Sequence, residues 1–469
     1  MQTRDRSLFT SPRRGEVASR SAAGEGVTIA DIEPMPFPPH PIPLPAGERE
    51  EPVDATVPAL RLLAASLLLW LVVLTTPAAA ADPAFRAWIE ALWPDAQAFG
   101  ISRKTFEAAT RGLEPDLSLP DLDVPGKPAP QREQPEFVLR PADYLRETTL
   151  AHLAGEGRKL SAEYGTTLDA IEQRFGVPPA IVLAIWGRES GYSRGDRSGN
   201  NAIRMLATQA YVGRRKDVFR QELLFALKMV EDGEIKLSEM RSSWAGAMGL
   251  TQFLPSEFYK YAVDFDGDGR RDIWNSVPDA LASAAKQLAG KNWQKGQRWA
   301  YEVRVPKGAD CTLANPDQKT PIGDWVRRGF APAFDRKLPG EELSQPASLL
   351  LPAGAYGPGF LILPNYFVLK DYNFSDLYVL FVGSLSDRIR EGRGFETPWG
   401  EVVQLKTAQL EEMQRRLTEL GLYADKIDGK AGMKTRLGLG AYQKANGLKL
   451  DCWPSAAVLD HMRGRAGRN

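Results

Sequence analysis

The sequence predicts a mainly α-helical fold with a small strand-bearing subdomain and a separate C-terminal domain of three helices. Three observations support this prediction. Residues 166–190 read as two successive helices, residues 300–365 contain short β-prone runs between Pro and Gly, and residues 407–421 place apolar side chains on one helical face. The 469 residues are 43% hydrophobic and 25% charged, an ordinary globular composition with room for two or three domains.

Residues 1–81 read as a leader and an export signal, not as part of the fold. An arginine precedes an uncharged apolar run over residues 62–74, and small residues follow up to Ala81, the expected cleavage site. The run is too short to span a bilayer comfortably, so a retained membrane anchor is only the alternative. We therefore expect a periplasmic protein that meets the membrane only through its export signal.

Residues 1–58 fit poorly in front of an export signal, because they are rich in Pro and follow neither helical nor strand periodicity. They are either a disordered leader or a stretch that is not translated. In the second case, which we prefer, translation starts near Val57 and gives a conventional signal peptide.

Charge and histidine content exclude several classes of protein. The formal charge of the chain is zero, and removing residues 1–81 takes away seven Lys/Arg and nine Asp/Glu, which leaves about +2. No basic surface for nucleic acid is indicated. Only His152 and His461 remain. Zinc amidases, Ser-His-Asp hydrolases and Cys-His peptidases need well-placed histidines, so two isolated ones argue against these classes.

The residues from 82 to 395 are predicted to form one mostly helical domain. Gly176 ends the first of two successive helices, and a proline occupies the first turn of the second. Residues 114–135 are rich in Pro and Asp and predict an extended loop, whereas residues 377–392 return to helix.

A linker at residues 396–406 is expected to lead into a C-terminal domain at residues 407–466. Its first helix has Thr407 as the expected N-cap and Gly421 beyond its end. The apolar face of that helix consists of Leu410, Met413, Leu417 and Leu420. Two further helices are expected at about residues 435–446 and 454–463.

The second helix of the pair carries a carboxylate close to its end, in "IWGRESGYSR". Val182, Trp186 and Glu189 fall at i, i+4 and i+7, so Glu189 shares a face with apolar neighbours. Desolvation there would raise the pKa of Glu189 towards neutral pH, as a general acid requires. The alternative is a frayed surface glutamate that pairs with Arg188 or Arg194.

A second motif follows in "SSWAGAMGLTQFLPSEF", residues 242–258. Its small side chains allow the backbone to approach a ligand or another helix closely. Gln252, which follows them, can donate and accept hydrogen bonds to a sugar. An ordinary helix turn could have this composition, but the complete motif is more specific than its composition alone.

Together with "YAVDFDGDGRRDIW", these motifs resemble the lytic murein transglycosylase B family over about residues 83–393. The resemblance implies a lysozyme-like helical catalytic domain whose acid/base is Glu189 and whose carboxylate-binding serine is Ser243. The late "YNFSDLY" meets the family's YNxSxxY pattern. Substrate-binding roles are thereby implied for Ser243, Gln252, Tyr372, Asn373 and Tyr378. After Glu189 the chain has "SGYS", where the family often has a bulkier residue.

The resemblance also implies the reaction, which needs only one protein carboxyl. Glycosidases normally use two carboxyl groups, and here Asp196 is the only weak candidate for a second. In murein, the 2-acetamido oxygen of N-acetylmuramic acid can attack C1 while Glu189 protonates the leaving oxygen. Glu189 can then deprotonate the C6 hydroxyl, which closes a 1,6-anhydro ring without water. No cofactor is required for this chemistry.

"DFDGDGRRDIWN" has the spacing of an EF-hand-like loop that suits Ca²⁺. Gly269 occupies loop position 6, and an Asn at position 12 replaces the bidentate Glu of a full loop, so weaker binding is expected. An acidic turn that caps the next helix is the alternative. The candidate ligands are Asp264, Asp266, Asp268, the backbone oxygen of Arg270, Asp272 and Asn275.

The C-terminal stretch with "IDGKAGMKT" and "AYQKANGL" resembles the three-helix peptidoglycan-binding domain of wall hydrolases. It departs from the usual pattern at Cys452, where a Gly is common. The alternative is a helical cap on the catalytic domain. Cys311 and Cys452 are the only two cysteines; two unpaired thiols are the default interpretation, and a disulfide between distant parts of an exported chain is the alternative.

Three functions are therefore weighed. The first is an exported, monomeric transglycosylase that cleaves the glycan strands of peptidoglycan. The second is a lysozyme-type hydrolase of the same glycan, whose products are heavier by one water. The third is a catalytically silent wall-binding protein, against which the joint presence of Glu189, Ser243 and Gln252 argues.

Overall fold

The structure is a computed structural model that describes residues 82–124, 126, 138–194 and 199–466. The predicted leader, export signal and cleavage site near Ala81 lie outside these residues, and so does Asp196. Within the described ranges, no helix is both long and apolar enough to cross a membrane.

The larger part of the described chain is helical, as predicted, and most of its helices bury apolar side chains in one hydrophobic core. Helix α15 (Asp376–Glu391) is central, because it packs against both α5 (Glu147–Glu163) and α7 (Pro179–Ser190). The helices of this part are α1 (Pro83–Ala91), α2 (Trp93–Ala98), α3 (Arg103–Thr110), α4 (Pro141–Tyr144), α5 (Glu147–Glu163), α6 (Gly165–Phe175), α7 (Pro179–Ser190), α8 (Ala202–Val212), α9 (Lys216–Glu231), α10 (Pro255–Tyr261), α11 (Val277–Gly290), α12 (Ile322–Arg327), α13 (Gly340–Leu343), α14 (Pro364–Tyr372) and α15 (Asp376–Glu391).

The predicted strand-bearing subdomain is an antiparallel five-stranded sheet in the order β4-β6-β7-β3-β5. Tyr301 of β3 lies opposite Leu361 of β7, and both side chains belong to a second hydrophobic core. A separate two-stranded ladder joins β1 and β2 in the helical part. The strands are β1 (Asn200–Asn201), β2 (Arg241–Ser242), β3 (Ala300–Arg304), β4 (Thr320–Pro321), β5 (Ala331–Pro332), β6 (Pro346–Leu350) and β7 (Gly359–Ile362).

Three C-terminal helices enclose a third, smaller core. They are α16 (Thr407–Glu419), α17 (Met433–Ala445) and α18 (Ala456–Ala466). Gly421 lies beyond the end of α16 with φ +71°, as expected. The expected N-cap was wrong by one residue: Lys406 has extended backbone angles and its N–H donates to Gln409 Oε1, so Thr407 is already helical.

The segment before α16, residues 396–406, contains neither helix nor strand but is packed against the protein. Val402 and Leu405 are both buried, and the carbonyl oxygen of Val403 accepts a hydrogen bond from Trp453 Nε1 at 3.0 Å. The C-terminal helices are therefore joined to the rest by a segment that is itself part of the packing.

A disulfide joins Cys311, beside the sheet, to Cys452 of the C-terminal domain. The default interpretation of two unpaired thiols was wrong, because the fold brings together residues that are 141 positions apart. Lys444 and Asp310 form an ion pair at 2.6 Å across the same interface. The C-terminal domain is therefore both covalently and electrostatically attached to the sheet.

Candidate active site

Glu189 lies near the C-terminal end of α7, a helix that is buried on nearly every side. Pro179 begins this helix and Gly191 ends it with φ +60°, as the sequence predicts. Because residues 181–189 are all buried, Glu189 is only 4% exposed. The alternative of a frayed surface glutamate is excluded by this burial, and Arg194 instead pairs with Glu163 at 2.6 Å.

Tyr378 provides the contact that defines the site. Its hydroxyl donates a hydrogen bond of 2.5 Å to Glu189 Oε1, and its side chain is 2% exposed. Burial raises the pKa of Tyr378 well above its ordinary value, and the nearby charge of Glu189 raises it further. Tyr378 therefore stays a neutral hydrogen-bond donor to the carboxyl group.

Tyr372 connects this pair to the loop that carries the small residues. Its ring stacks on that of Tyr378, with centroids 6.4 Å apart and an interplanar angle of 11°. Its hydroxyl donates to the carbonyl oxygen of Thr251 at 2.5 Å. Burial, followed by the charge of Glu189, raises the pKa of Tyr372 well above its ordinary value. The two tyrosines thus form one layer against the carboxylate.

The small residues of the loop permit close approach, as predicted. Gly249 has φ +75°, and a Cβ there would lie 2.6 Å from the carbonyl oxygen of Ile273. Gln252 also has a positive φ, of +57°, a conformation that is unfavourable for a residue with a side chain. Gln252 is buried, and its Nε2 donates to the carbonyl oxygen of Gly249 at 2.9 Å, so the loop itself fixes this amide.

One serine connects the loop to the helix, and a second acts within the loop. Ser190, next to the candidate acid, donates from Oγ to the carbonyl oxygen of Leu250 at 3.0 Å, a contact that the sequence analysis did not predict. Ser243 Oγ accepts the backbone N–H of Ala247 at 3.2 Å, which stabilises the start of the small-residue turn. A bond from Ser243 to Glu189 stays a prediction.

Asn373 combines burial with an unused donor. It is 1% exposed, and its Oδ1 accepts the backbone N–H of Ser375 at 3.2 Å. Its Nδ2 has no hydrogen-bond partner among the residues that the structure describes. Since an unpaired buried donor is unfavourable, we expect this amide to donate a hydrogen bond to an acceptor of a bound ligand.

Arg188 and Tyr192, to which the sequence analysis assigned no role in the site, lie close to Glu189 along the chain. The Arg188 guanidinium lies 4.8 Å from the ring centre of Phe381 and 5.9 Å from that of Tyr378. Tyr192 packs edge-on against Trp186 at 5.5 Å, which closes the other side of the helix end. The helix end that carries Glu189 is therefore packed among aromatic rings and one guanidinium group.

The acidic loop at residues 264–275 brings only part of its predicted ligand set together. Oxygen atoms of Asp264, Asp266 and Asp268 lie within 4.8 Å of one another, and these carboxylates accept backbone N–H groups of the same loop. Asp272 instead accepts the N–H groups of Trp274 and Asn275 at 3.0 and 2.9 Å, whereas the next helix is capped by Ser276. Arg270 and Asn275 are exposed.

Asp279, which the sequence analysis missed, anchors this loop from beneath. It is fully buried, and its carboxylate accepts the backbone N–H groups of Phe265 and Asp272, both at 2.8 Å. A carboxylate at the third position of a helix is ordinarily interpreted only as a negative charge that stabilises the helix N-terminus. The carboxylate oxygens of Asp264, Asp266 and Asp268 are suitable ligands for a hard cation.

These features define a transglycosylase domain followed by a peptidoglycan-binding domain. Residues 84–387 match the family model of the transglycosylase SLT domain, and residues 406–462 match that of a peptidoglycan binding domain. The chain belongs to the lytic murein transglycosylase B family and carries a C-terminal peptidoglycan-binding domain.

Solved and curated relatives agree with this family. SltB3 from Pseudomonas aeruginosa, solved in complex with NAG-anhNAM-pentapeptide, is 40% identical with a TM-score of 0.71, over 81% of this chain and 99% of that one. The membrane-bound lytic murein transglycosylase B of Escherichia coli (strain K12) is 31% identical over 239 residues, 49% of this chain. That match spans 62% of the curated relative, less than two thirds of its length.

A third relative has been solved with a metal ion. A lytic transglycosylase from Escherichia coli, solved in complex with calcium, is 26% identical with a TM-score of 0.51. The match covers 66% of this chain and 94% of that one.

Proposed function

We propose that this protein is an exported lytic transglycosylase that cleaves the β-1,4 bond between N-acetylmuramic acid and N-acetylglucosamine in peptidoglycan. The supporting observation is the buried Glu189, whose Oε1 accepts the hydroxyl of Tyr378 at 2.5 Å. We infer that this carboxyl group is the proton donor to the glycosidic oxygen.

In the first step, Glu189 donates its proton to the glycosidic oxygen as the bond to C1 of N-acetylmuramic acid breaks. The 2-acetamido oxygen of the same sugar forms the new bond to C1, so the substrate supplies the attacking group. Tyr378 stabilises the carboxylate as it forms, because a hydrogen bond to an ionised acceptor is stronger than one to a neutral acceptor.

In the second step, the ionised Glu189 takes the proton of the C6 hydroxyl, whose oxygen attacks C1. The bond from C1 to the acetamido oxygen breaks, a 1,6-anhydro ring closes, and Glu189 is protonated again. No water enters the products. A buried carboxylate with a fixed donor suits both steps, since one group acts first as an acid and then as a base.

Substrate binding is assigned to the residues around the carboxylate. The Nδ2 of Asn373, without a partner among the described residues, is suited to a sugar or peptide carbonyl. Gln252, Ser243, Tyr372 and Tyr378 complete the proposed set. SltB3, whose structures contain NAG-anhNAM-pentapeptide or NAG-NAM-pentapeptide, supports a muropeptide ligand.

The test is the digestion of purified sacculi, with products analysed by mass spectrometry. The parent protein is expected to release anhydro products, which lack the 18 Da of water that a hydrolase would add. Glu189→Gln is expected to abolish release, whereas Glu163→Gln, an exposed glutamate on the neighbouring α5, serves as the matched control. Hydrated reducing ends would establish the lysozyme-type alternative, and full activity of Glu189→Gln would remove the assignment of the acid.

We also propose that residues 264–275 bind Ca²⁺ in a structural role. Asp264, Asp266 and Asp268 converge, and a relative has been solved with calcium. Hard carboxylate oxygens would hold the ion, while the chemistry at Glu189 requires no cofactor. Calcium is expected to raise the melting temperature of the parent but not of Asp266→Asn/Asp268→Asn. Equilibrium dialysis without calcium uptake by the parent would reject the site.

The remaining proposals concern the whole chain. Residues 82–395 would form the catalytic domain, residues 396–406 the connection, and residues 407–466 the domain that raises the local concentration of enzyme on its polymeric substrate. The protein would act in the periplasm as a monomer, after export directed by residues 1–81.

A further inference from the structure

The C-terminal domain contacts the turn between α14 and α15, the "YNFSDLY" segment that contains Tyr372 and Tyr378. Lys430 Nζ lies 4.3 Å above the ring centre of Phe374 in this turn. Arg436, on α17, donates from Nη2 to Asp376 Oδ2 at 3.3 Å. Met433 of the same helix belongs to the hydrophobic core of the catalytic part. The contact is therefore with the active-site motif itself.

Asp376 is the centre of a buried network that spans both domains. Its Oδ1 accepts the hydroxyl of Tyr366 and the ammonium group of Lys370, each at 2.7 Å, while Arg436 contacts Oδ2. Burial would raise the pKa of Asp376, but the charges of Lys370 and Arg436 offset this and hold it at about 2. The Asp376 side chain is 10% exposed and that of Arg436 is 9% exposed, so water offers little substitute for the pair.

The network lies one half-turn from the catalytic contact. Asp376 is the first residue of α15, and Tyr378 is two residues further along the same turn. Ser375, the N-cap, accepts the backbone N–H of Tyr378 on its Oγ at 3.4 Å. A displacement of Asp376 would therefore move the first turn of α15, and with it the Tyr378 hydroxyl that bonds Glu189.

We propose that Arg436 of the C-terminal domain is a positioning residue of the catalytic site, acting through Asp376 and Tyr378 on Glu189. The C-terminal domain then completes the active site as well as binding the wall. This proposal rests on the proposed function. It assigns Arg436 no contact with substrate.

The experiment measures kcat and KM of the full chain on soluble glycan-peptide fragments, for which attachment to the wall does not matter. Arg436→Met is expected to lower kcat by about 10- to 100-fold, the effect of a small misplacement of a catalytic group, with KM within twofold. Arg436→Lys is expected to recover most of this loss. Lys444→Met is the matched control, because it removes another ion pair across the interface, 61% exposed at the lysine, away from the motif.

A second background tests the route through Asp376. In Asp376→Asn, adding Arg436→Met is expected to change kcat by less than threefold, because the partner of Arg436 is already gone. If Arg436→Met lowered kcat equally in the parent and in Asp376→Asn, Arg436 would not act through Asp376. An unchanged kcat for Arg436→Met, or a loss shared by Lys444→Met, would overturn the proposal.

Two further readouts keep these outcomes distinct. If Arg436→Met does not fold, as circular dichroism would show, the comparison of Arg436→Lys with Asp376→Asn decides. A kcat near that of the parent for Arg436→Lys, together with a low kcat for Asp376→Asn, would support the proposal, and a parental kcat for Asp376→Asn would overturn it. A parent protein without activity on sacculi and fragments would instead refute the proposed function.

Discussion

Removal of the Tyr378 hydroxyl is the most direct test of the catalytic geometry. Tyr378→Phe retains the ring and its stacking on Tyr372, and deletes only the donor to Glu189 Oε1. With 2% of the side chain exposed, water cannot readily replace the hydroxyl. The change is therefore confined to one hydrogen bond.

The expected magnitude follows from the charge that develops on Glu189. A hydrogen bond to a charged group contributes about 1.5–3 kcal/mol, and each 1.36 kcal/mol corresponds to a tenfold change in rate. Because the carboxylate appears only as the proton leaves, most of this stabilisation is lost in the transition state. We expect kcat to fall by about 10- to 150-fold, with little change in KM.

The assay is the initial rate of anhydro-product release from soluble glycan-peptide fragments, with melting curves to confirm folding. Tyr301→Phe is the control, because Tyr301 is a buried tyrosine of β3, 4% exposed, whose hydroxyl also bonds a carboxylate, Glu342. A kcat within twofold of the parent for Tyr378→Phe would show that the hydroxyl does not support the acid.

Three further outcomes concern stability. Burial raises the pKa of Glu222 from 4.5 to about 7, so its stabilising contribution is complete below pH 4.5 and is lost as pH rises through 7. Relative to Glu222→Gln, the free energy of unfolding of the parent should fall by about 3 kcal/mol over this range, measured by denaturant titration. Cys311→Ser/Cys452→Ser should lower it by up to about 5 kcal/mol, the chain-entropy value for a loop of 141 residues, in urea unfolding. Gly187→Ala should lower it by about 1–3 kcal/mol, because the new Cβ would lie 2.6 Å from the ring of Tyr192, as a melting shift would show.

Each of these predictions has a contrary result. A difference between the parent and Glu222→Gln that does not vary with pH would mean that the carboxyl titrates normally. Equal stability of the cysteine variant and the oxidised parent would show that the crosslink does not restrain the unfolded chain. A Gly187→Ala protein as stable as the parent would show that the Tyr192 ring moves aside without loss.

The sequence predicted the features that depend on local pattern. Helix α7 begins at Pro179 and ends before Gly191 as expected, because proline and left-handed glycine act on their own backbone. The burial of Glu189 also followed from the face it shares with Val182 and Trp186. Local sequence signals were sufficient to predict both the helix bounds and the buried face.

Features that depend on distant parts of the chain could not be predicted in this way. The family motif indicated Tyr378, but its bond to Glu189 joins residues 189 positions apart. The disulfide was the less favoured alternative, and the buried Asp279 gave no signal, since a carboxylate near a helix start is usually a surface feature. Pairing across such separations is set by packing, which spacing alone does not encode.

The packed segment at residues 396–406 has a consequence for how this enzyme would move over its substrate. A wall anchor on a loose tether lets the attached enzyme sample every bond within the radius of the tether. Here Val402 and Leu405 are buried and a disulfide joins the two domains. The distance over which the anchored enzyme can search is therefore close to zero. Anchoring would then dictate one distance and one orientation for the next cut, and progress along the wall would require release and rebinding of the entire molecule.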